Sequence, residues 1–172
     1  MKITILNGNP YNSKENFDLK LKNIASRLVS SGNEVNLIEL KSLEIKQCIG
    51  CFSCWLKTPG KCAIKDDMEE IYYHAINCRL MIFASPLIVG FISALLKKTM
   101  DRLIPLIHPY IEVYKGEFHH VNRYKEYPLL GVIVEKENDT DKEDLDIVEN
   151  TFGRLSLNFK SELKFFKLID NI

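Results

Sequence analysis

Residues 80–104 read LMIFASPLIVGFISALLKKTMDRLI. The run Leu80–Ala84 is apolar without a break, as a strand of a parallel sheet must be when both its faces are covered. Ser85-Pro86 predicts the end of that strand, Gly90 a turn, and the pattern over 91–104 a helix. The same alternation extends in both directions. Lys2–Leu6 is a short apolar run closed by Asn7-Gly8-Asn9-Pro10, and residues 14–30 place Phe17, Leu21, Ile24 and Leu28 on one helical stripe. Glu34–Leu40 reads as a second strand, and Met68, Ile71, Tyr72, Ala75 and Ile76 recur at helical spacing behind a predicted Asp67–Glu70 capping box. Leu129–Val134 is a fourth strand. Leu145, Val148, Phe152, Leu155 and Phe159 mark a fourth helix, and Leu163–Ile169 a last strand. Five strands alternating with four helices predict an α/β fold: a doubly wound five-stranded parallel sheet, order 2-1-3-4-5, with helices on both faces.

The chain has 172 residues, a length expected to form a single domain (1–172) with its own core. Its 23 basic and 23 acidic side chains cancel, which argues against a nucleic-acid or anionic-membrane partner. The first apolar run is too short for a secretory signal and no stretch reaches membrane-spanning length, so a cytoplasmic setting with reduced thiols is expected.

Four of the five cysteines, Cys48, Cys51, Cys54 and Cys62, fall in CIGCFSCWLKTPGKC, a C-x2-C-x2-C-x7-C spacing within the loop 47–63. Thiols set this closely converge on one point, and ferredoxin-type runs use the same two-residue gaps around an iron–sulfur cube. Three readings stay open from spacing alone: an iron–sulfur cluster, a zinc site, or metal-free thiols. Trp55 either shields such a centre or packs on the core. Cys78 stands apart and reads as a small buried residue.

Residues 105–127 break the alternation. They hold Pro105, Pro109, four tyrosines and three histidines, and read as a long loop serving as an oligomer contact or a lid, the alternative being a plain surface excursion. His119 and His120, adjacent in an extended segment, point to opposite faces, so they read as exposed side chains rather than a metal pair. Lys97, Lys98, Asp101 and Arg102 are expected on the solvent side of the helix or in local pairs.

In a sheet of this order, ligands bind beyond the carboxyl ends of the strands where the order reverses, between the loops after strands one and three. The first loop, NGNPYNSKEN, offers Asn9, Asn12, Ser13 and Asn16 as donors ahead of a helix N-terminus, which suits a phosphate. The competing reading is a plain turn with an Asn12–Glu15 capping box. In the second loop Leu87, Ile88 and Val89 form an apolar lip, and Gly90 permits a turn or close approach of a flat ring; the alternative is that the three apolar residues bury under the 105–127 segment. The cysteine loop follows strand two, on the same edge as this crevice.

The NGNP loop, the cysteine stretch followed by IKDDM, the ASPLIVGF loop and the KKTMDR helix together resemble the flavodoxin-like NAD(P)H-dependent FMN reductases, and within them the iron–sulfur flavoproteins. The resemblance is carried by residues 1–105. It implies a flavodoxin-like fold, bound FMN, NAD(P)H as a transient donor, a homodimer or homotetramer, and electron transfer to a small acceptor. Carried onto this chain, Asn9, Tyr11, Asn12, Ser13 and Asn16 would meet the FMN phosphate. Ser85, Pro86, Leu87, Ile88, Val89 and Gly90 would face the ring, and a third loop near Glu135–Asn138 would close it. Cys48, Cys51, Cys54 and Cys62 would carry a 4Fe–4S cluster. The chain departs from the family pattern at Tyr11, Phe17, Ile88 and the EKEND loop. An electron-transfer or redox-sensing protein built on the cysteines, with flavin binding weak or lost, is the alternative. No nucleophile elbow, metalloprotease pattern or phosphate-loop lysine is present.

Overall fold

In the computed structural model all residues except Ser13 and Lys14 are described, and nothing is stated of the Glu15 side chain. The expected phosphate contact of Ser13 and the Asn12–Glu15 capping box therefore lie outside the described residues. The chain begins β1 (Lys2–Asn7), α1 (Glu15–Ser30), β2 (Glu34–Glu39), the short α2 (Ser53–Leu56) and α3 (Met68–Asn77). It continues β3 (Leu80–Ile88), β4 (Phe91–Ile92), α4 (Ala94–Asp101), β5 (Ile107–Tyr114) and β6 (Glu117–Asn122), and ends β7 (Leu129–Glu135), α5 (Lys142–Asn158) and β8 (Leu163–Leu168). Five parallel strands run β2-β1-β3-β7-β8, the predicted order with β7 and β8 as fourth and fifth strands, and the fold is flavodoxin-like α/β.

The two-residue period of β3 separates the core into layers. Ile82 and Ala84, with Ile3, Ile5 and Ile133, face Phe17, Leu21 and Ile24 of α1. Met81 and Phe83, with Leu6, Val132 and Val134, face Met68 and Ile71 of α3, Leu96 and Met100 of α4, and Val148 and Phe152 of α5. Cys78 is buried between these elements, as expected of a small apolar residue.

Several local expectations fail, each for a physical reason. Pro86 does not stop β3, which continues to Ile88 with Pro86 in register with Glu135. The carbonyl of Ala84 faces the β1 side, where it accepts the Gly8 N–H at 2.7 Å, and Pro86 shares that orientation two residues on. By then β1 has ended, its last pair being Asn7 with Ala84, so the missing N–H forfeits no ladder bond. The strand then turns back through Val89-Gly90, with φ 53° and 72°, into β4, which pairs antiparallel with Leu87–Ile88. Asp67 starts α3 without a side-chain cap; its carboxylate instead accepts the Glu44 N–H at 2.7 Å and ties the helix to the exit of β2. A true capping box stands at Asp141–Asp144, opening α5.

The segment 105–127 is not a loop. It is largely an antiparallel hairpin, β5–β6, whose inner face docks on α5. Glu117 pairs with Arg154, and Lys160 pairs with Glu112 at 3.2 Å while covering the Tyr114 ring. His119 is buried between Glu117 and Asn158, contrary to its expected exposure, and His120 on the other face packs its ring on Trp55.

Candidate functional site

The strand order reverses between β1 and β3, so their following loops flank one cleft at the carboxyl end of the sheet. A hydroxyl network joins the two loops. Ser93 Oγ donates to the Gly8 carbonyl at 2.5 Å and accepts the Leu96 N–H, capping α4. Ser85 Oγ accepts the Ser93 N–H at 2.9 Å and donates to the Pro86 carbonyl. Gly8 is required here by close approach: a Cβ would lie 2.6 Å from Leu96 Cβ.

The first loop is organised around a carboxylate that sequence reasoning missed. Asp18, one turn into α1, accepts from Asn7 Nδ2 at 2.8 Å, Asn9 Nδ2 at 3.0 Å and Lys41 Nζ at 2.7 Å. Asn9 Oδ1 accepts the Tyr11 N–H, an Asx turn that sets the loop's direction. Burial alone would lift the Asp18 carboxyl, but the Asn7, Lys41 and Asn9 contacts outweigh it and hold it below the usual value of 3.8. Asn9 thus shapes the loop, and Tyr11, Asn12 and Asn16 are its exposed side chains. A hollow lined by Asn16, Asp18, Leu19 and Lys22 opens beside the first turns of α1. Lys41, which also reaches the Tyr11 carbonyl, brings a cation to this end of the cleft. Its place just after β2 was the available signal, because a residue leaving that strand must lie beside the loop leaving β1.

Of the residues expected to face the ring, Ser85, Pro86 and Leu87 are buried, and Leu87, expected in the lip, lies within the core. Ile88 is half-buried, and Val89, 90% exposed, is the lip's outer edge. The third loop closes on this turn. Glu137 accepts the Val89 N–H at 3.0 Å, and a Gly90 Cβ would stand 2.3 Å from an Asp144 carboxylate oxygen, at a φ of 72° that favours glycine.

The four cysteines form a second site. The loop passes Ala94 and Leu95 with Gln47, then folds along α4 towards its carboxyl end. A tight turn at Thr58–Lys61 and the Gly60 N–H to Cys54 carbonyl bond (2.9 Å) return the chain, and all four thiols line one cavity of about 130 Å³. Cys54 is buried, Cys48 and Cys62 are half-buried, and Cys51 is exposed. Burial and the neighbouring Cys62, Cys48 and Cys51 push the Cys54 thiol up, while the Ser53 contact draws Cys51 down. Among the described residues no three His, Cys, Asp or Glu side chains are set to hold a single metal ion. A zinc site would need sulfurs about 3.8 Å apart, from four bonds of roughly 2.3 Å in a tetrahedron. A four-iron cube spreads its thiolates wider, so four thiols around a shared apolar cavity suit it better than one ion. The cavity lies against the carboxyl end of α4 at Arg102, Ile104 and Pro105, whereas the cleft meets the amino end of that helix at Ser93.

Trp55 pins this loop to the base of the hairpin. Its Nε1 donates to the carbonyls of Ile107 (3.0 Å) and Ile104 (3.2 Å), and its ring lies between Phe52 and His120. Arg102 is not on the solvent side but 1% exposed. It forms a bidentate pair with Asp66 (2.8 and 3.0 Å) and donates to the Lys46 carbonyl, so only Lys97 and Asp101 pair locally as expected. Burial opposes both charges of that pair. Even so, their mutual bonds hold Asp66 below and Arg102 above the usual range.

The chain is 36% identical over 106 residues to an iron–sulfur flavoprotein of Methanocaldococcus jannaschii, covering 62% of this chain and 53% of that protein. It is 33% identical over 102 residues to an iron–sulfur flavoprotein of Archaeoglobus fulgidus, covering 59% and 48%. It thus spans about half the length of the curated relatives it matches. Among solved structures, an FMN-dependent NADH-azoreductase of Bacillus anthracis in complex with FMN superposes with a TM-score of 0.62 at 16% identity, covering 100% of this chain and 89% of that one. An apo NADH:FMN oxidoreductase gives 0.58 at 13% identity, covering 98% and 76%. At such identities these two likenesses speak for the fold alone. Residues 1–122 match the family model described as NADPH-dependent FMN reductase, and the chain belongs to that family.

Proposed function

We propose that the protein is an FMN-dependent oxidoreductase passing electrons from NAD(P)H, or from a reduced carrier, to a small acceptor such as a flavin or quinone, in the cytoplasm and as a homodimer or homotetramer. The observation that carries this reading is the cleft at the strand-order reversal. Its two flanking loops are locked together by Ser85, Ser93 and Gly8, with polar side chains at one end and an apolar edge at the other. FMN, when bound, supplies hydride acceptance and the release of electrons singly or in pairs.

The chain's own residues bind and orient it. Tyr11, Asn12 and Asn16, with the free N–H groups at the start of α1 and the Lys41 cation, suit the phosphate end. Asn9 holds that loop in shape through Asp18. Ile88, Val89 and Gly90 suit one face of the ring, with Ser85, Pro86 and Leu87 as the rigid base beneath. Cys48, Cys51, Cys54 and Cys62 would hold a 4Fe–4S cluster, the centre their shared cavity fits. A second reading, an electron carrier or redox sensor built on the cysteines, draws on two contacts: Glu137 takes the Val89 N–H and Asp18 takes the Asn9 amide, so both are already spent within the protein.

The test is the visible spectrum of protein purified without oxygen, followed by titration with FMN. A flavin spectrum, or saturable uptake with reduction by NADH or NADPH, is expected. A preparation that neither retains nor takes up FMN removes the reductase reading, and iron and sulfide analysis then decides the second.

A further inference from the structure

Arg102 lines the cysteine cavity, and its Nε is buried with no hydrogen-bond partner. Its other nitrogens are committed: one to the Lys46 carbonyl and Asp66 Oδ2, the other to Asp66 Oδ1. The Tyr72 hydroxyl in turn holds the Arg102 carbonyl at 2.7 Å. The guanidinium is therefore fixed by Asp66 and the Lys46 carbonyl, with its Nε–H unpaired. A buried donor without a partner costs about 1–3 kcal/mol, which a purely structural arginine has no reason to carry. The rest of the lining, apart from the four thiols, is apolar or backbone, including Ile49, Phe52, Ile64, Ile104 and Pro105, so Arg102 is the only charged side chain among the lining residues.

We propose that Arg102 is the positioning residue of the cysteine centre. On this view its Nε–H donates to a sulfur of a thiolate-bound iron–sulfur cluster, and its fixed positive charge favours the cluster's reduced form. The inference rests on the cluster reading above. Reduction adds one electron to the cluster and hence one negative charge. In an apolar cavity that charge is opposed only by what the wall supplies, and Arg102 supplies a cation and an N–H that neither lose a proton nor move. Cys62 and Arg102 line the same cavity. Asp66 holds the guanidinium in place and is not itself a ligand.

The experiment is anaerobic reconstitution with ferrous iron and sulfide, then dithionite titration followed by electron paramagnetic resonance. The proteins compared are wild type, Arg102→Lys, Asp66→Asn and the double variant Arg102→Gln/Asp66→Asn. The lysine keeps the charge without the Nε–H, and the double variant removes both charges without leaving Asp66 unpaired. At the wild-type midpoint, the reduced-to-oxidised ratio of the double variant should fall at least tenfold, equivalent to about 59 mV for one electron. Arg102→Lys should lie between, Asp66→Asn should stay at or above wild type, and both Arg102 variants should lose iron to a chelator faster. Melting of each metal-free protein checks the fold, and Arg102→Lys decides alone if the double variant does not fold. A wild-type cluster whose midpoint and chelation rate are unchanged in the folded variants overturns the role of Arg102 only. A wild type that takes up no cluster overturns the cluster reading, and this inference with it.

Discussion

At the scale of single residues, two positions shape the cleft without facing a ligand. Gly8 lies between the Ala84 carbonyl, which would be 3.1 Å from a Cβ, and Leu96 Cβ at 2.6 Å. Neither neighbour is the end of a flexible side chain, so Gly8→Ala must displace α4 or the first loop. The expected cost is about 1–3 kcal/mol of stability with at least a tenfold loss in FMN affinity, read by chemical denaturation and flavin fluorescence titration. Asp18 sets a pH dependence. Its folded pKa lies below 3.8, so its contribution is complete above that value and is lost as pH falls through 3.8 and on through the lowered folded pKa. Asp66 is lowered in the same direction. Stability should therefore decline on the acid side, and Asp18→Asn, which cannot titrate, should flatten part of that decline in denaturation curves taken across the window. Neither role was legible beforehand. Asp18 stands among helix residues as an ordinary solvent-facing acid, and only the loops after β1 and β2 converging on it reveal its function. Arg102 was misread for the same reason: a cation after Lys97, Lys98 and Asp101 looks exposed until Asp66 arrives from a distant segment.

At the scale of elements, the five parallel strands were readable because each is a short apolar run between turn residues, and their burial demands continuity rather than alternation. The hairpin was missed because its outer face carries Ile111, Val113 and Phe118 while its inner face is polar and charged, against α5. That inverted pattern does not resemble a strand packed on a core, although the Lys115-Gly116 turn between alternating residues was a usable signal. The Asp66–Arg102 pair joins the segment before α3 to the end of α4, across which the cysteine loop is stretched. Removing one partner leaves a buried charge, so Asp66→Ala should cost about 3–5 kcal/mol in a denaturant midpoint. The exposed pair Lys65–Glu69 is the control: Lys65→Ala should change stability by less than about 1 kcal/mol. Equal losses at the two sites would refute the difference drawn between them.

At the scale of the whole molecule, the apolar surface is unevenly distributed. Phe118 is 80% exposed and Val113 68%; they are cross-strand partners with Ile111 on the same outer face of the hairpin. That face continues through His120 to Trp55 and Phe52, at the mouth of the cysteine cavity. A contiguous apolar patch of this kind marks an interaction surface. A second copy of the chain, the partner proposed above, would cover both the hairpin and the cavity mouth. The inner face of the hairpin is separately anchored by Glu117–Arg154 and Glu112–Lys160, so charges can be placed on the outer face without undocking it from α5. Val113→Glu/Phe118→Glu should therefore keep the wild-type circular dichroism while shifting the mass measured by light scattering towards a single chain. Oxygen should then reach the cysteines more readily and shorten the lifetime of any reconstituted cluster. A wild type that is already a single chain at tens of micromolar would refute the homo-oligomer. A variant that keeps the wild-type mass would place the interface elsewhere on the molecule.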